Sequence, residues 1–183
     1  MSSSQQSSLS ADFFEALERG SHMFFYSCDW RALVADLCGG EATNAQREAF
    51  ATQWVTHGAK IREQTADDTL LVQTLRKWLP LFHGNGLILY RGESAERVAR
   101  KQYGLCWTAK IEVATMFAAG LNAVLPDGGV LLRAYASREA VISGPGRHSA
   151  YLGEAEHTVD PADLTNMEVV GRFPPADRRL AAA

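Results

Sequence analysis

The chain has 183 residues, 46% of them hydrophobic, enough for one well-buried domain with or without an extension. Its net charge of −3 supplies no long-range field toward a phosphate backbone, so any affinity for nucleic acid must come from a local patch. The three cysteines, Cys28, Cys38 and Cys106, show no metal-ligand spacing and read as reduced thiols; no metal is expected. No apolar run approaches the roughly 20 residues that span a bilayer, and Met1–Ser10 lacks the basic start and apolar middle of a secretory signal, so a cytoplasmic protein with no membrane partner is expected.

Residues 1–10, rich in Ser and Gln, are expected to be a flexible N-terminus. A helical lobe is expected over 11–83. Ser10 can cap a helix carrying Phe13, Phe14 and Leu17, and Asp29 another carrying Leu33, Val34 and Leu37, which the left-handed tolerance of Gly39-Gly40 would end. Arg19-Gly20-Ser21-His22-Met23 has the sequence of a cleaved expression-tag scar, and no function is placed on it. Thr43 and Gln46 form a capping-box pattern before Phe50, Trp54 and Ile61, in a helix reaching about Gln64. Asp67 or Asp68 starts a fourth helix, which buries Leu71, Leu75, Trp78 and Leu79 until Pro80 stops it.

After His83-Gly84-Asn85-Gly86 the pattern changes to short strands and helices, a core expected over 84–175 with a flexible tail at 176–183. Strands are expected over 87–91, 105–108, 130–135, 156–160 and 167–173, and helices over 94–101 and 111–119. The stretch 143–153, with three Gly, one Pro and two Ser, reads as a loop.

Three stretches of this core carry the chemistry. Arg91 ends a strand just before Gly92, where a backbone can approach a ligand closely, and its guanidinium can grip a phosphate or ribose through two parallel hydrogen bonds. In Cys106-Trp107-Thr108 the alternation of a strand puts Cys106 and Thr108 on one face and Trp107 on the other. By the same alternation Glu154 and Glu156 share a face at the end of the Gly-rich stretch. Each has an ordinary alternative: a surface arginine, a core tryptophan, a solvated acidic edge. His83, His148 and His157 read as structural or surface residues. Arg91, Arg97, Arg100 and Lys101, interrupted by Glu93 and Glu96, read as a solvated helix face before they read as a nucleic-acid site.

In their order, Tyr90-Arg91, then Leu105-Cys106-Trp107-Thr108 with Ala114-x-x-Phe117-Ala118, then Glu154-Ala155-Glu156, the stretches resemble the mono-ADP-ribosyltransferases of the arginine-serine-glutamate class. The resemblance covers about Leu87 to Phe173. It implies a split two-sheet core that encloses an NAD cleft and leaves the helical N-terminal lobe unexplained; the fold expected is α+β, with that lobe before the core, bracing the cleft or contacting a target. The resemblance implies that Arg91, with Tyr90, Gly92, Trp107 and Phe117, binds NAD, and that Thr108 and the position of Cys106 shape the nicotinamide pocket and orient the catalytic carboxylate. Glu156 would be the catalytic carboxylate. Glu154 and Tyr151 would meet the acceptor, and a Glu at position 154 goes with arginine acceptors. NAD is then the substrate, ADP-ribose passes to a macromolecule, protein before nucleic acid, and nicotinamide leaves. A bacterial toxin or effector role, delivery into a host or competitor cell and a cognate antitoxin or immunity protein come with the resemblance.

Cys106 and Trp107 stand where the family has serine and threonine, and a thiol is a poor donor for steering a carboxylate. The alternatives are an NAD glycohydrolase, with water as the acceptor, and a non-enzymatic interaction module built on a decayed NAD site.

Overall fold

The computed structural model describes residues 8–19 and 27–176, without the side chains of residues 147, 148 and 152. Most of the expected flexible segments, residues 1–7 and 177–183, and the scar-like residues 20–23 lie outside the described residues. Two compact units divide between Pro80 and Leu81, slightly before the boundary expected after residue 83. The reason is Phe82, which packs on the core cluster of the second unit. No helix among the described residues is long and apolar enough to cross a membrane.

The first unit contains helices α1 (Leu9–Glu18), α2 (Trp30–Gly39), α3 (Asn44–Thr65) and α4 (Asp68–Trp78). The α1 cap is Ser8, whose hydroxyl accepts from Ala11 N, in place of the expected Ser10; Ser10 N instead donates to Asp36 Oδ2 at 2.8 Å and ties α1 to α2. Asp29, Thr43 and Asp67 cap the next three helices, Thr43 with Gln46 in the full reciprocal box. Gly40 follows α2 at φ −90°, so the left-handed glycine ending expected there is absent, and Gly40 N closes a tight last turn on Leu37 O. Leu79 turns extended at ψ 152° because Pro80 disfavours helix at the residue before it. The core of this unit is aromatic: Phe14 stacks on Trp78 at 5.3 Å and Phe13 meets Trp30 edge-on at 5.9 Å. Trp78 satisfies its indole N–H on Leu37 O at 2.7 Å.

The second unit contains β1 (Leu87–Ser94), α5 (Ala95–Ala99), β2 (Cys106–Thr108), α6 (Ile111–Ala119), β3 (Gly129–Ala136), β4 (Val141–Ser143), α7 (Arg147–Leu152), β5 (Glu156–Val159), a 3₁₀ turn (Pro161–Asp163) and β6 (Leu164–Phe173). Among the described residues the strands form one antiparallel six-stranded sheet in the order β4-β5-β2-β1-β3-β6. The fold is therefore mixed α and β, with a single sheet in place of the two expected. Its middle seam is thin: β1 pairs with β2 through Tyr90 and Thr108, whereas β1 pairs with β3 from Leu87 to Ser94.

One face of the sheet carries the main core, with Leu89, Trp107, Val130, Leu132 and Val159 buried together. On the other face α6 packs through Ala114 and Ala118 onto Leu131, with Tyr90 and Phe173 beside them. Gly92 makes this contact possible, since a Cβ there would collide with Ala118 N and Ala114 O. The expectation that Gly92 opens the strand to a ligand is thus corrected: its open side is filled by the α6 backbone. The stretch 143–153 is not all loop either. Ser143 closes β4, and α7 forms downstream of Gly146 and ends at Gly153 in the left-handed region, φ 72°.

Candidate active site

Antiparallel register brings the motif residues into a row. Thr108 of β2 lies opposite Glu156 of β5 and, on its other side, opposite Tyr90 of β1, so Glu156, Thr108 and Tyr90 share one face across the middle of the sheet. Cys106, two residues from Thr108, is on the same face. Trp107 and His157, paired with each other, face the opposite way. Trp107 is 1% exposed and donates its indole N–H to Gly104 O at 2.8 Å. It is a core residue, and the expected part of Trp107 in cofactor binding is corrected. His157 is buried against Phe82, its Nδ1 3.0 Å from Ala155 O, and burial lowers its pKa. His83 is exposed. The side chain of His148 lies outside the described residues.

Glu154 and Glu156 do not share a face by strand alternation. β5 begins at Glu156, and Ala155 is left-handed at φ 48°, which breaks the period of two. They are nevertheless neighbours, since the Glu154 charge helps set the pKa of Glu156. The turn is held by hydroxyls. Thr108 Oγ1 donates to Glu154 O at 2.6 Å and accepts from Lys110 N at 3.0 Å. Buried Ser149 of α7 accepts from Glu156 N at 2.7 Å, and its carbonyl accepts from Glu154 N at 3.1 Å. The Thr108 hydroxyl is thus engaged with main chain. Ser149 was missed because the composition around it reads as loop; a helix between Gly146 and Gly153 was the signal that would have found it. Tyr151, expected in a loop, sits on α7 and is 87% exposed. Phe117 is half-buried on α6.

Arg91 fills the seam where β1 and β2 part. Its Nε donates to Glu93 Oε2 at 2.9 Å and its Nη1 donates to Cys106 O. Gly104 lies so close beneath it that a Cβ there would collide with Arg91 Cζ and Nη2. Glu93, whose side chain is 3% exposed, also accepts from Gly104 N and Ser94 N at 3.1 Å each, with Arg97 Nε 3.7 Å away. Burial by itself raises the pKa of Glu93. The charges of Arg91 and Arg97 and the hydrogen bonds outweigh it, and the carboxyl is held below its ordinary value. Reading Glu93 as part of a solvated face is therefore wrong. The basic residues nearby are compensated, Arg97 by Glu93 and Arg100 by Glu96 at 2.7 Å, which leaves no free cationic stripe at Arg97 and Arg100.

Glu156 is the opposite case. Its Oε1 is buried without a hydrogen-bond partner. Burial pushes its pKa up, opposed by the Cys106 thiol, reinforced by the Glu154 charge and opposed again by Arg91. Glu156, Glu154 and Cys106 are thus brought together with Tyr90 and Thr108, while Arg91, next to Tyr90 in β1 and so on the opposite face, reaches Glu156 through its charge; Trp107 and the open side of Gly92 belong to packing. Among the described residues no group of three or more His, Cys, Asp or Glu side chains is placed to hold a metal ion. The chain matches no family model, no curated protein and no solved structure.

Proposed function

We propose that this chain breaks the bond between nicotinamide and ribose in NAD and transfers ADP-ribose to a macromolecule. The observation that carries the reading is the Glu156 carboxylate, with one oxygen buried and unpartnered at the head of β5, where the charge of Arg91 at the sheet seam still reaches it. A buried acceptor without a partner costs about 1–3 kcal/mol, and groups with perturbed ionisation of this kind concentrate where chemistry requires them.

The electron pair of the breaking bond leaves with nicotinamide, and positive charge builds on the ribose anomeric carbon. The ionised Glu156 stabilises that charge and accepts a ribose hydroxyl, giving its bare oxygen a partner it otherwise lacks. Arg91 offers the guanidinium N–H groups not spent on Glu93 and Cys106 to the phosphates or ribose. Glu154 receives the acceptor's proton as the new bond to the anomeric carbon forms, and Tyr151 gives the acceptor an aromatic surface. Protein is favoured over nucleic acid as the acceptor because Arg97 and Arg100 are already paired with carboxylates.

Incubation with NAD tagged on the adenine and a cell lysate, followed by protease or RNase, tests the transfer. Protease-sensitive label that Glu156→Gln abolishes is expected. Free ADP-ribose without labelled macromolecules would replace transfer by hydrolysis, and no NAD consumption at all would end the reading.

A further inference from the structure

We infer that Glu93 is a positioning residue whose buried carboxylate aims the Arg91 guanidinium at the NAD phosphates, an inference that rests on the reading above. The sequence gives Glu93 the look of a surface charge, and the resemblance assigns it nothing. Its geometry is that of a clamp. Oε2 accepts from Arg91 Nε at 2.9 Å and from Gly104 N at 3.1 Å, and Oε1 accepts from Ser94 N at 3.1 Å. Both oxygens are engaged and the side chain is 3% exposed, so it is placed neither to bind substrate nor to shuttle a proton.

What the clamp fixes is the choice of free donors. A guanidinium has five N–H bonds. Glu93 takes the one on Nε, Cys106 O takes one on Nη1, and Gly104 leaves room for the plane to lie flat. The pair on Nη2 and the second on Nη1 remain: one Nη2 N–H runs parallel to the Nε N–H on the Glu93 side, and the end of the fork between Nη1 and Nη2 is the edge left for a phosphate. An arginine rotated about its last bonds would present a different edge, and two parallel bonds to a phosphate require the edge to be fixed beforehand.

Glutamine at position 93 cannot reproduce this. Its amide has a single acceptor oxygen, and the amide nitrogen at its other end would face an N–H donor of Gly104 and Arg91 or of Ser94. Gly104→Ala offers an independent route, leaving Glu93 and Arg91 chemically intact while its Cβ pushes the guanidinium aside. The experiment is steady-state nicotinamide release by the full chain against NAD concentration, with melting temperature recorded for each variant.

Glu93→Gln and Gly104→Ala should each raise KM for NAD about tenfold, with kcat per folded molecule within about threefold, the loss of one charged hydrogen bond at the binding step. In an Arg91→Lys background Glu93→Gln should add no further rise. An unchanged KM in both variants, or losses that multiply in the double variant, would overturn the positioning role while leaving the activity standing. Absence of nicotinamide release from the wild-type chain would overturn the activity and this inference with it.

Discussion

Replacing Glu156 by glutamine should make the protein more stable at neutral pH. The substitution keeps the shape of the side chain and removes a charge whose Oε1 is buried without a partner. An unsatisfied buried acceptor costs about 1–3 kcal/mol, and more when ionised. Against this stand the Cys106 thiol and the attraction of Arg91, both of which favour the charge. The raised pKa fixes the sign of the balance, because the folded site disfavours the charged form relative to the unfolded chain. We expect a net gain of about 1 kcal/mol, or about 4–8 °C in the melting temperature of a unit this size.

The pH dependence follows from the same sign. Between the unfolded carboxyl value, about 4.3, and its higher folded value, the folded chain holds a proton that the unfolded chain has released. Wild-type stability from this group therefore falls as pH rises through that window, and below it the penalty disappears. Calorimetric scans of the wild type and Glu156→Gln at several pH values should show no difference near pH 3 and one that grows as pH rises above the unfolded carboxyl value. A wild type as stable as the variant at neutral pH, or a difference independent of pH, would refute the argument that Glu156 is held against its solvation preference.

Glu93 should behave in the opposite way. Glu93→Ala leaves the Arg91 guanidinium without its Nε partner and should cost about 3–5 kcal/mol in urea unfolding. Its folded pKa is lowered, so its contribution is present above the unfolded carboxyl value and is lost as pH falls through the folded one. A cost below about 1 kcal/mol would mean that the pair behaves like an exposed one. Tyr151→Ala removes a side chain that is 87% exposed, so melting should shift little; label transfer to the acceptor should fall while nicotinamide release into water persists, and equal loss of both would remove Tyr151 from acceptor contact.

The legible parts of this chain were the local ones. The Thr43 and Gln46 box, the Asp29 and Asp67 caps and the bounds of α6 are set by side chains acting within a few residues of themselves, and all are present. The strands β1 and β3 announce themselves by apolar runs. What escaped depends on partners distant in sequence. Glu93 is buried because Gly104, eleven positions on, donates to it, and nothing in the alternation of charges around 91–101 says so. Gly92 invites a ligand in sequence, yet the small residues Ala114 and Ala118 let α6 settle there first. The left-handed turn at Ala155 needed no glycine, so the break in strand period between Glu154 and Glu156 carried no mark. Its anchor, Ser149, sat in a stretch whose Gly and Pro content hid a short helix.

The measurement that bears most directly on the account is nicotinamide release from NAD by the purified full chain, compared with Glu156→Gln at matched folded concentration. The account predicts release by the wild type and a rate lower by about 10²–10³-fold in the variant, the cost of losing one group that stabilises the transition state. Equal rates in the two proteins, or no release by the wild type above that of buffer, would contradict it.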